Sequence, residues 1–409
     1  MSTIKLNIDI EAYDCYIYSG HLFIFLKDGS IGCLNLNKIY HNLYSEYPEF
    51  VNFFRVIFQR NDYFRNKQGD DIFGIPEIKK SFKKTWSKIS KEIEFDFYDF
   101  NDLNIIAKIP EKDLPILDVK IYGMKVFVGT LNGVYSMDLF LNNKNEITTD
   151  RKVHKRFDAK TIYLNAKSGS LAISTNNDGL FYGSIYGTNG LKVNEKEVSD
   201  KSIRTSWVNY DLINYSNNRN FEYLENTIDK GKEDNSYSYR DEKVDKKIIS
   251  SFGANKIDNA NLIQGINFQN EEIKYAFNSS QSVFLITDKG NFYNSNIQFG
   301  KNLNNLLEEH KIDSLQKYDP KQVWLSSRCF PLPKIRNRKV LKPLSSHIVD
   351  KGCVLEFLDK IVLFKNNKAE IIDKDPSINV RSYPSSLRYK NLVTITKADK
   401  ITVHSINPF

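Results

Sequence analysis

The sequence predicts a mainly β fold built from a repeated antiparallel unit. Two observations support this prediction: hairpins with tight-turn residues recur along the chain, and another short strand precedes the clearest of them. The chain has 409 residues, of which 41% are hydrophobic and 26% are charged, so it can bury a substantial core. Because repeat folds commonly continue as one unit over such a length, we expect a single domain over residues 1–409.

The repeated hairpin consists of an apolar strand, a turn, and a second strand rich in aromatic and β-branched residues. In four copies the turn contains Gly, which readily adopts the positive φ that a tight hairpin requires. Three weaker copies lack this Gly and have Asn or Asp, which tolerate positive φ moderately. The four glycine copies cover residues 22–36, 125–139, 170–185 and 283–297, and the weaker copies cover 212–224, 360–372 and 392–403.

A further strand precedes each glycine copy, at residues 14–19, 117–122, 161–165 and 273–278. Units of three or four antiparallel strands resemble the blades of the WD-repeat and related β-propeller families. The resemblance implies a single β-propeller of about seven four-stranded antiparallel blades. The sequence has no Trp-Asp dipeptide and a solitary Gly-His pair, Gly20-His21, so we assign no specific family and carry over no functional residue.

The first predicted insertion is helical and covers residues 42–94, in or in place of part of an early blade. Seven blades of about 40–45 residues use roughly 300 residues, which leaves roughly 100 for insertions. Pro48 and Pro76 each suit the first turn of a helix. Apolar residues at helical spacing follow both prolines, at Phe50, Phe53, Phe54, Ile57 and Phe58, and then at Ile78, Phe82, Ile89 and Ile93.

Two more insertions are predicted in the second half of the chain. We expect an exposed charged loop region over residues 229–262, because acidic and basic residues alternate in its first part with almost no apolar content. We expect a helix followed by an irregular run over residues 301–345. Leu303, Leu306 and Leu307 fall at helical spacing there, and prolines follow them.

The amino-terminal segment is expected to close the propeller. Ile4, Leu6, Ile8 and Ile10 alternate strictly with polar residues, as expected of a half-buried strand. A propeller must pair its first and last blades, because an open sheet edge invites aggregation. We therefore expect residues 4–10 to supply a strand to the blade formed by the carboxy terminus.

The composition also predicts a compartment and a redox state. The amino terminus lacks the apolar stretch of a secretory signal, and no apolar run approaches the roughly 20 residues that cross a bilayer. We expect a cytoplasmic protein without a membrane partner. Four cysteines lie far apart with no Cys-x-x-Cys pair, which argues against a disulfide framework or a zinc ribbon: Cys15, Cys33, Cys329 and Cys353.

The sequence has no recognisable catalytic cluster. Its six histidines stand singly, and none has the spacing of a zinc site. It has neither of the common glycine-rich phosphate loops, and residues 142–150 do not satisfy a calcium loop. We predict no catalytic residue, no metal site and no cofactor, although a site assembled from distant blades stays open.

Two basic patches are the candidate partner-binding sites. The net charge of +8 permits nucleic-acid binding without requiring it. Lysine and arginine contact phosphates, and an aromatic residue beside them can stack on a base. The alternative is that the lysines are the solvated face of an amphipathic helix. The first patch contains Lys79, Lys80, Lys83, Lys84, Lys88 and Trp86, and the second contains Arg328, Lys334, Arg336, Arg338, Lys339 and Lys342.

Three functions remain as hypotheses. The first is a non-catalytic protein-binding scaffold or regulatory subunit, which docks a partner protein on loops and insertions and gates an effector enzyme. Propeller loops hold fixed positions, so they present a binding surface at low entropic cost. The second is a nucleic-acid (RNA) binding propeller or sensor that uses the patch at 328–342. The third is a hydrolase or lyase with a central-channel site, for which the strands provide no motif.

Overall fold

Antiparallel strands make up most of the described chain. The computed structural model describes residues 3–64, 66–92, 95–143, 146–187, 190–194, 197–208, 211–226, 252–258, 272–279, 282–288, 291–297, 324–331, 343–350, 352–365 and 368–409. Strands in these ranges form six four-stranded antiparallel sheets, one five-stranded sheet and one two-stranded hairpin. In each four-stranded sheet, the strands are hydrogen-bonded in the order in which the chain forms them.

The first three four-stranded sheets lie in the first half of the chain. Sheet 1 contains β2 (Ala12–Tyr18), β3 (His21–Leu26), β4 (Ser30–Asn35) and β6 (Asn104–Lys108). Sheet 2 contains β7 (Ile116–Tyr122), β8 (Lys125–Thr130), β9 (Gly133–Asp138) and β12 (His154–Phe157). Sheet 3 contains β13 (Tyr163–Lys167), β14 (Ser170–Ser174), β15 (Leu180–Gly187) and β16 (Gly190–Val193). The two-stranded hairpin contains β10 (Phe140–Leu141) and β11 (Ile147–Thr148).

The other three four-stranded sheets follow in order. Sheet 4 contains β17 (Arg204–Val208), β18 (Asp211–Tyr215), β19 (Phe221–Asn226) and β20 (Phe252–Asp258). Sheet 5 contains β21 (Ile273–Ser279), β22 (Ser282–Thr287), β23 (Asn291–Ile297) and β24 (Trp324–Pro331). Sheet 6 contains β25 (Ser345–Val349), β26 (Gly352–Phe357), β27 (Lys360–Lys365) and β28 (Lys368–Asp373).

The five-stranded sheet, here the closing sheet, joins strands from both ends of the chain. It contains β29 (Asn379–Ser382), β30 (Leu392–Thr396), β31 (Ile401–Ile406), β1 (Thr3–Ile8) and β5 (Phe95–Phe97), in that order. Strand β1 pairs antiparallel with β31, from Thr3 opposite Ile406 to Ile8 opposite Ile401. The prediction that the amino-terminal segment supplies a strand to the carboxy-terminal sheet is therefore confirmed.

All seven predicted hairpins are present, and the β-propeller fold is confirmed. The turn glycines have the positive φ expected, 86° at Gly29 and 102° at Gly179, where a Cβ would lie 2.3 Å from the carbonyl oxygen of Ser199. The prediction of seven four-stranded blades is wrong in its count. Among the described residues, only six sheets have four strands. The closing sheet has five, since β5 pairs parallel with β1.

The helical segment lies between the third and fourth strands of sheet 1, so the prediction of an insertion in an early blade is confirmed. It begins at Leu36 rather than at residue 42, because the Asn35 side chain caps the first helix by accepting from the backbone N–H of Asn37 at 2.9 Å. Its α-helices are α1 (Leu36–Glu46), α2 (Val51–Phe54), α3 (Lys67–Phe73) and α4 (Pro76–Glu92). Single turns of other helix types are Pro48–Phe50, Arg55–Gln59, Asn61–Phe64 and, after the segment, Glu111–Asp113.

Two predicted insertions need correction. The region 229–262 was expected to be an exposed loop, but it includes strand β20, which pairs with β19. The region 301–345 was expected to be a helix and an irregular run, but it includes strand β24, which pairs with β23. The helix predicted in the first part of 301–345 and the whole of the charged stretch at 229–247 lie outside the described residues.

The chain divides into two compact units. The first comprises Met1–Glu111, Phe140–Arg151 and Pro343–Phe409, and so contains sheets 1 and 6, the closing sheet and the helical segment. The second comprises Lys112–Leu139 and Lys152–Lys342, with sheets 2 to 5. Among the described residues, none of the helices combines the length and apolar character needed to span a bilayer.

The core of each unit lies between neighbouring sheets. In the first unit, sheet 6 and the closing sheet share a buried cluster that includes Val354, Leu363, Val393 and Ile395. In the second unit, side chains of sheets 2 and 3 form one cluster, and side chains of sheets 3 and 4 form another. The sheets that share these clusters therefore depend on one another to keep their apolar faces out of water.

Replacing Leu6 with Ala is expected to lower the free energy of unfolding by about 2–5 kcal/mol, because Leu6 is completely buried opposite Val403 and its truncation leaves a cavity. Urea denaturation followed by tryptophan fluorescence measures this change. Asp9→Ala, at an exposed position just beyond β1, is the matched control and should have a small effect. Equal midpoints for L6A and the unsubstituted protein would contradict the role of β1.

Candidate functional site

Helix α4 carries the first predicted patch and has two chemically different faces. Pro76 starts the helix, where a missing N–H is tolerated, and Glu77 in the first turn favours the positive end of the helix dipole. One face is apolar: Trp86 is 2% exposed, Ile89 is completely buried, and Phe82 is half-buried. The other face is polar, so α4 is amphipathic as its residue spacing predicts.

The polar face, here the lysine face, consists of five exposed lysines: Lys79, Lys80, Lys83, Lys84 and Lys88. None of them forms an ion pair with any residue that the structure describes. Like charges at four-residue spacing on a helix repel one another, by a few tenths of a kcal/mol per pair. The structure therefore brings these five predicted residues together as an uncompensated positive surface.

Trp86 is buried against the aromatic cluster, so it is not at the surface where the prediction placed it. Its ring centre is 6.0 Å from that of Phe53 and 6.2 Å from that of Phe82. The reason is its position in the helix, four residues after Phe82 and three before Ile89, which places it on the apolar face. Trp86 anchors α4 and has no surface on which a base could stack.

Phe409 completes the aromatic cluster beneath the lysine face. Its ring centre lies between 5.6 and 5.8 Å from the ring centres of Phe64, Phe73 and Phe82. The Nζ atoms of Lys79 and Lys83 lie 5.2 and 5.6 Å from the centre of the Phe409 ring. These cation–π contacts hold two lysines without neutralising their charge.

The second predicted patch is described at one position. Arg328 lies in strand β24, where it pairs with Asn294 of β23. The remaining residues of that patch lie outside the described residues: Lys334, Arg336, Arg338, Lys339 and Lys342. Whether they form one surface stays a prediction.

A buried ionic cluster, which the sequence did not reveal, joins sheet 6 to the closing sheet. The Nζ atom of Lys397 lies 2.9 Å from Asp373 Oδ2 and 2.7 Å from Asp375 Oδ2. The Nε2 atom of His404 lies 3.5 Å from Asp373 Oδ2. Burial alone would raise the pKa of Asp373, but hydrogen bonds from His404, the Asp375 backbone and Lys397 hold it below its ordinary value. The carboxylate is therefore ionised at neutral pH and links two sheets.

The arrangement nearest to a nucleophile and base is at Ser345, in the first strand of sheet 6. Its Oγ lies 2.6 Å from His347 Nε2 and also donates to Glu356, whose second oxygen accepts from Ser377 Oγ at 2.6 Å. A carboxylate only accepts, so the hydroxyl proton of Ser345 is directed to Glu356 and the imidazole supplies the other hydrogen bond. In a hydrolytic triad the histidine accepts the serine proton, so this cluster has a different arrangement.

The buried cysteines do not favour nucleophilic chemistry. Burial raises the pKa of the Cys15 and Cys33 thiols to about 12, and it raises that of Cys353 as well. The thiolate is the reactive form, so these thiols are inert at neutral pH. Within the described ranges, no group of three or more His, Cys, Asp or Glu residues is placed to hold a metal ion.

Comparison with known proteins concerns the fold alone. No protein-family model matches the sequence. No curated protein matches it either. Solved structures do: the Cps50 (Swd1) β-propeller domain of Myceliophteria thermophila has a TM-score of 0.48 and 8% identity, over 97% of both chains.

Two further structures extend this likeness. The Pan2 WD40 domain of Neurospora crassa has a TM-score of 0.45 and 9% identity over 97% of this chain and 89% of that one. The extracellular domain of the one-component system BT4673 of B. thetaiotaomicron has a TM-score of 0.45 and 10% identity over 96% of this chain and 40% of that one. These three structures have TM-scores below 0.5 and at most 10% identity, so they assign neither a family nor a role to this chain.

Replacing His404 with Gln is expected to flatten the dependence of stability on pH below neutrality. Burial holds the pKa of His404 below its ordinary value of about 6.5. The contact with Asp373 raises this pKa, whereas the charges of Lys5 and Lys397 lower it further. The unfolded chain therefore binds a proton at a pH where the folded chain does not. The stability that this difference contributes is complete above about pH 6.5, and it decreases by at most about 1.4 kcal/mol per pH unit below it.

Urea midpoints at pH 7.5 and 5.5, for the protein and for H404Q, measure this effect. His154→Gln is the control, because His154 is exposed. If H404Q and H154Q lose equal stability between the two pH values, His404 does not contribute in this way.

Proposed function

We propose that this protein is a non-catalytic protein-binding scaffold that docks its partner on the lysine face of α4. The observation that carries the proposal is the uncompensated charge of that face: five exposed lysines without an ion pair to any described residue. A surface that retains its charge in the folded protein is complementary to an acidic surface on a partner.

The helical segment is fixed to the sheets, which favours binding at low entropic cost. The backbone N–H of Asn61 donates to the carbonyl of Arg388 at 3.1 Å, and the Asn61 side chain accepts from the N–H of Asn391 at 3.2 Å. The hydroxyl of Ser405 in β31 donates to the carbonyl of Ile57 at 2.8 Å. These bonds connect the segment to the closing sheet, so α4 is held before a partner arrives.

A protein partner fits this face better than a nucleic acid does. A sequence-tolerant nucleic-acid site pairs basic groups with exposed aromatic rings on which bases stack. On α4 the ring of Trp86 is buried, and Lys79 and Lys83 cover the Phe409 ring next to Phe82. The lysines themselves thus occupy the nearest ring, which favours carboxylates on a protein over stacked bases. The test below distinguishes binding of a nucleic acid from binding of a protein.

Reversing three charges of the lysine face, by Lys80→Glu, Lys84→Glu and Lys88→Glu, is expected to reduce capture of the partner by about tenfold or more, because attraction becomes repulsion. The tagged protein is mixed with an extract of its source cells, with and without nuclease, and captured proteins are quantified by mass spectrometry.

The matched control carries Lys160→Glu, Lys201→Glu and Lys374→Glu at exposed positions outside the helical segment. Each variant reverses three charges, so both have the same net charge. Proteins whose capture the control retains and the α4 variant loses, regardless of nuclease, support the proposal. Equal capture by the two variants contradicts it, and capture that requires intact nucleic acid shows the alternative partner class.

A further inference from the structure

Three isoleucines at the turn between α3 and α4 stay exposed, and they form what is here called the isoleucine tip. Ile72 is 43% exposed, Ile75 is 46% exposed and Ile78 is 38% exposed. The N–H of Ile75 donates to the carbonyl of Ile72 at 3.3 Å, and the N–H of Lys79 donates to the carbonyl of Ile75 at 3.1 Å, so all three lie within two successive turns. Clustered exposed apolar side chains mark sites of interaction.

The isoleucine tip continues directly into the lysine face. Lys79 and Lys83 form one row along α4 that continues from Ile75, the residue before the helix, while Lys80, Lys84 and Lys88 form a second row. Four residues of helix advance about 6 Å along the axis, so positive charges repeat at that interval in both rows. One end of the surface is thus apolar, and two lines of positive charge lead away from it.

We infer that the lysine face binds a protein segment that combines an apolar anchor with acidic residues at four-residue helical spacing. The anchor packs on the isoleucine tip, and the carboxylates pair with the two lysine rows. This inference rests on the proposed function and specifies the partner class for the same face. Exposed ion pairs individually contribute little to affinity, so the apolar contact supplies most of it, while the charges set orientation and the rate of association.

The charges around the isoleucine tip disfavour a lipid surface and a nucleic acid. Asp70 and Asp71 in α3 are exposed and immediately precede Ile72. Anionic headgroups or phosphates drawn to the lysines would bring negative charge against these two carboxylates. The isoleucines also have no complementary group on a phosphate backbone. A peptide can place its apolar anchor there and keep its carboxylates over the lysines.

Three fluorescein-labelled synthetic peptides test the inference by fluorescence anisotropy with the full-length protein. The first has two leucines at one end and Glu at every fourth position in a helix-forming sequence. The second replaces the leucines with serines, and the third scrambles the glutamates at constant composition. The first should bind roughly tenfold more tightly than the second and more tightly than the third, because only it buries apolar surface and matches both lysine rows.

The variant Ile75→Ser, Ile78→Ser should bind the first and second peptides within about twofold of each other, because the anchor then has no apolar surface to cover. The control Ile371→Ser, Ile378→Ser removes two isoleucines of similar exposure from sheet 6 and its connection to the closing sheet, and should keep the preference. Circular dichroism of each variant confirms folding, and the single variant I75S replaces the double one if needed.

Equal binding of the first and second peptides by the unsubstituted protein overturns the inference. The inference is also wrong if the protein binds none of the peptides but binds phosphatidylserine vesicles, or a short single-stranded RNA, in a way that depends on Ile75 and Ile78. Failure here is distinguishable from failure of the proposed function. If capture of extract proteins still requires Lys80, Lys84 and Lys88 when the peptides fail, the lysine face remains the docking site but the apolar-anchored acidic segment is wrong. If capture does not require these lysines, both the proposed function and this inference are wrong.

Discussion

The pairing of β1 with β31 is the constraint on which the first unit depends. Six residues at the start of the chain complete a sheet whose other antiparallel strands come from its last thirty or so residues. Ile4, Leu6 and Ile8 point into the core of the closing sheet. Without β1, the backbone groups of β31 would form an open edge and the apolar faces would lose their cover. The helical segment depends on the same sheet, since Ser405 in β31 bonds to Ile57, and so the position of α4 does too.

The hairpins could be predicted from the sequence because turn chemistry is local. Gly29 and Gly179 have positive φ, which few other residues adopt without strain, so an alternating strand on each side identifies the hairpin. The closing strand was predictable for a similar reason, since its alternation is strict. Strands β20 and β24 were missed because charged or proline-containing neighbours surround them, and strand formation there depends on pairing with β19 and β23. The parallel strand β5 has only three residues, too few to show a period.

The candidate site was predicted in part. Helical spacing correctly placed Lys79, Lys80, Lys83, Lys84 and Lys88 on one helix, and their exposure follows from its amphipathic pattern. Trp86 was assigned by nearness in sequence, although its position relative to Phe82 and Ile89 could have placed it inside. The cluster of Asp373, Lys397 and His404 could not have been found, because it depends on side chains of two different sheets. Charged groups brought together by topology have no pattern along the chain.

One positively charged helix with an apolar tip is held in position by the sheets of the first unit. A zero-length carbodiimide cross-linker tests this most directly, since it joins an amine to a carboxylate only where the two are in contact. Applied to the native complex and followed by mass spectrometry, it should connect Lys79, Lys80, Lys83, Lys84 or Lys88 to acidic residues of the partner. Cross-links to the partner that arise only from lysines elsewhere in the chain would contradict the account.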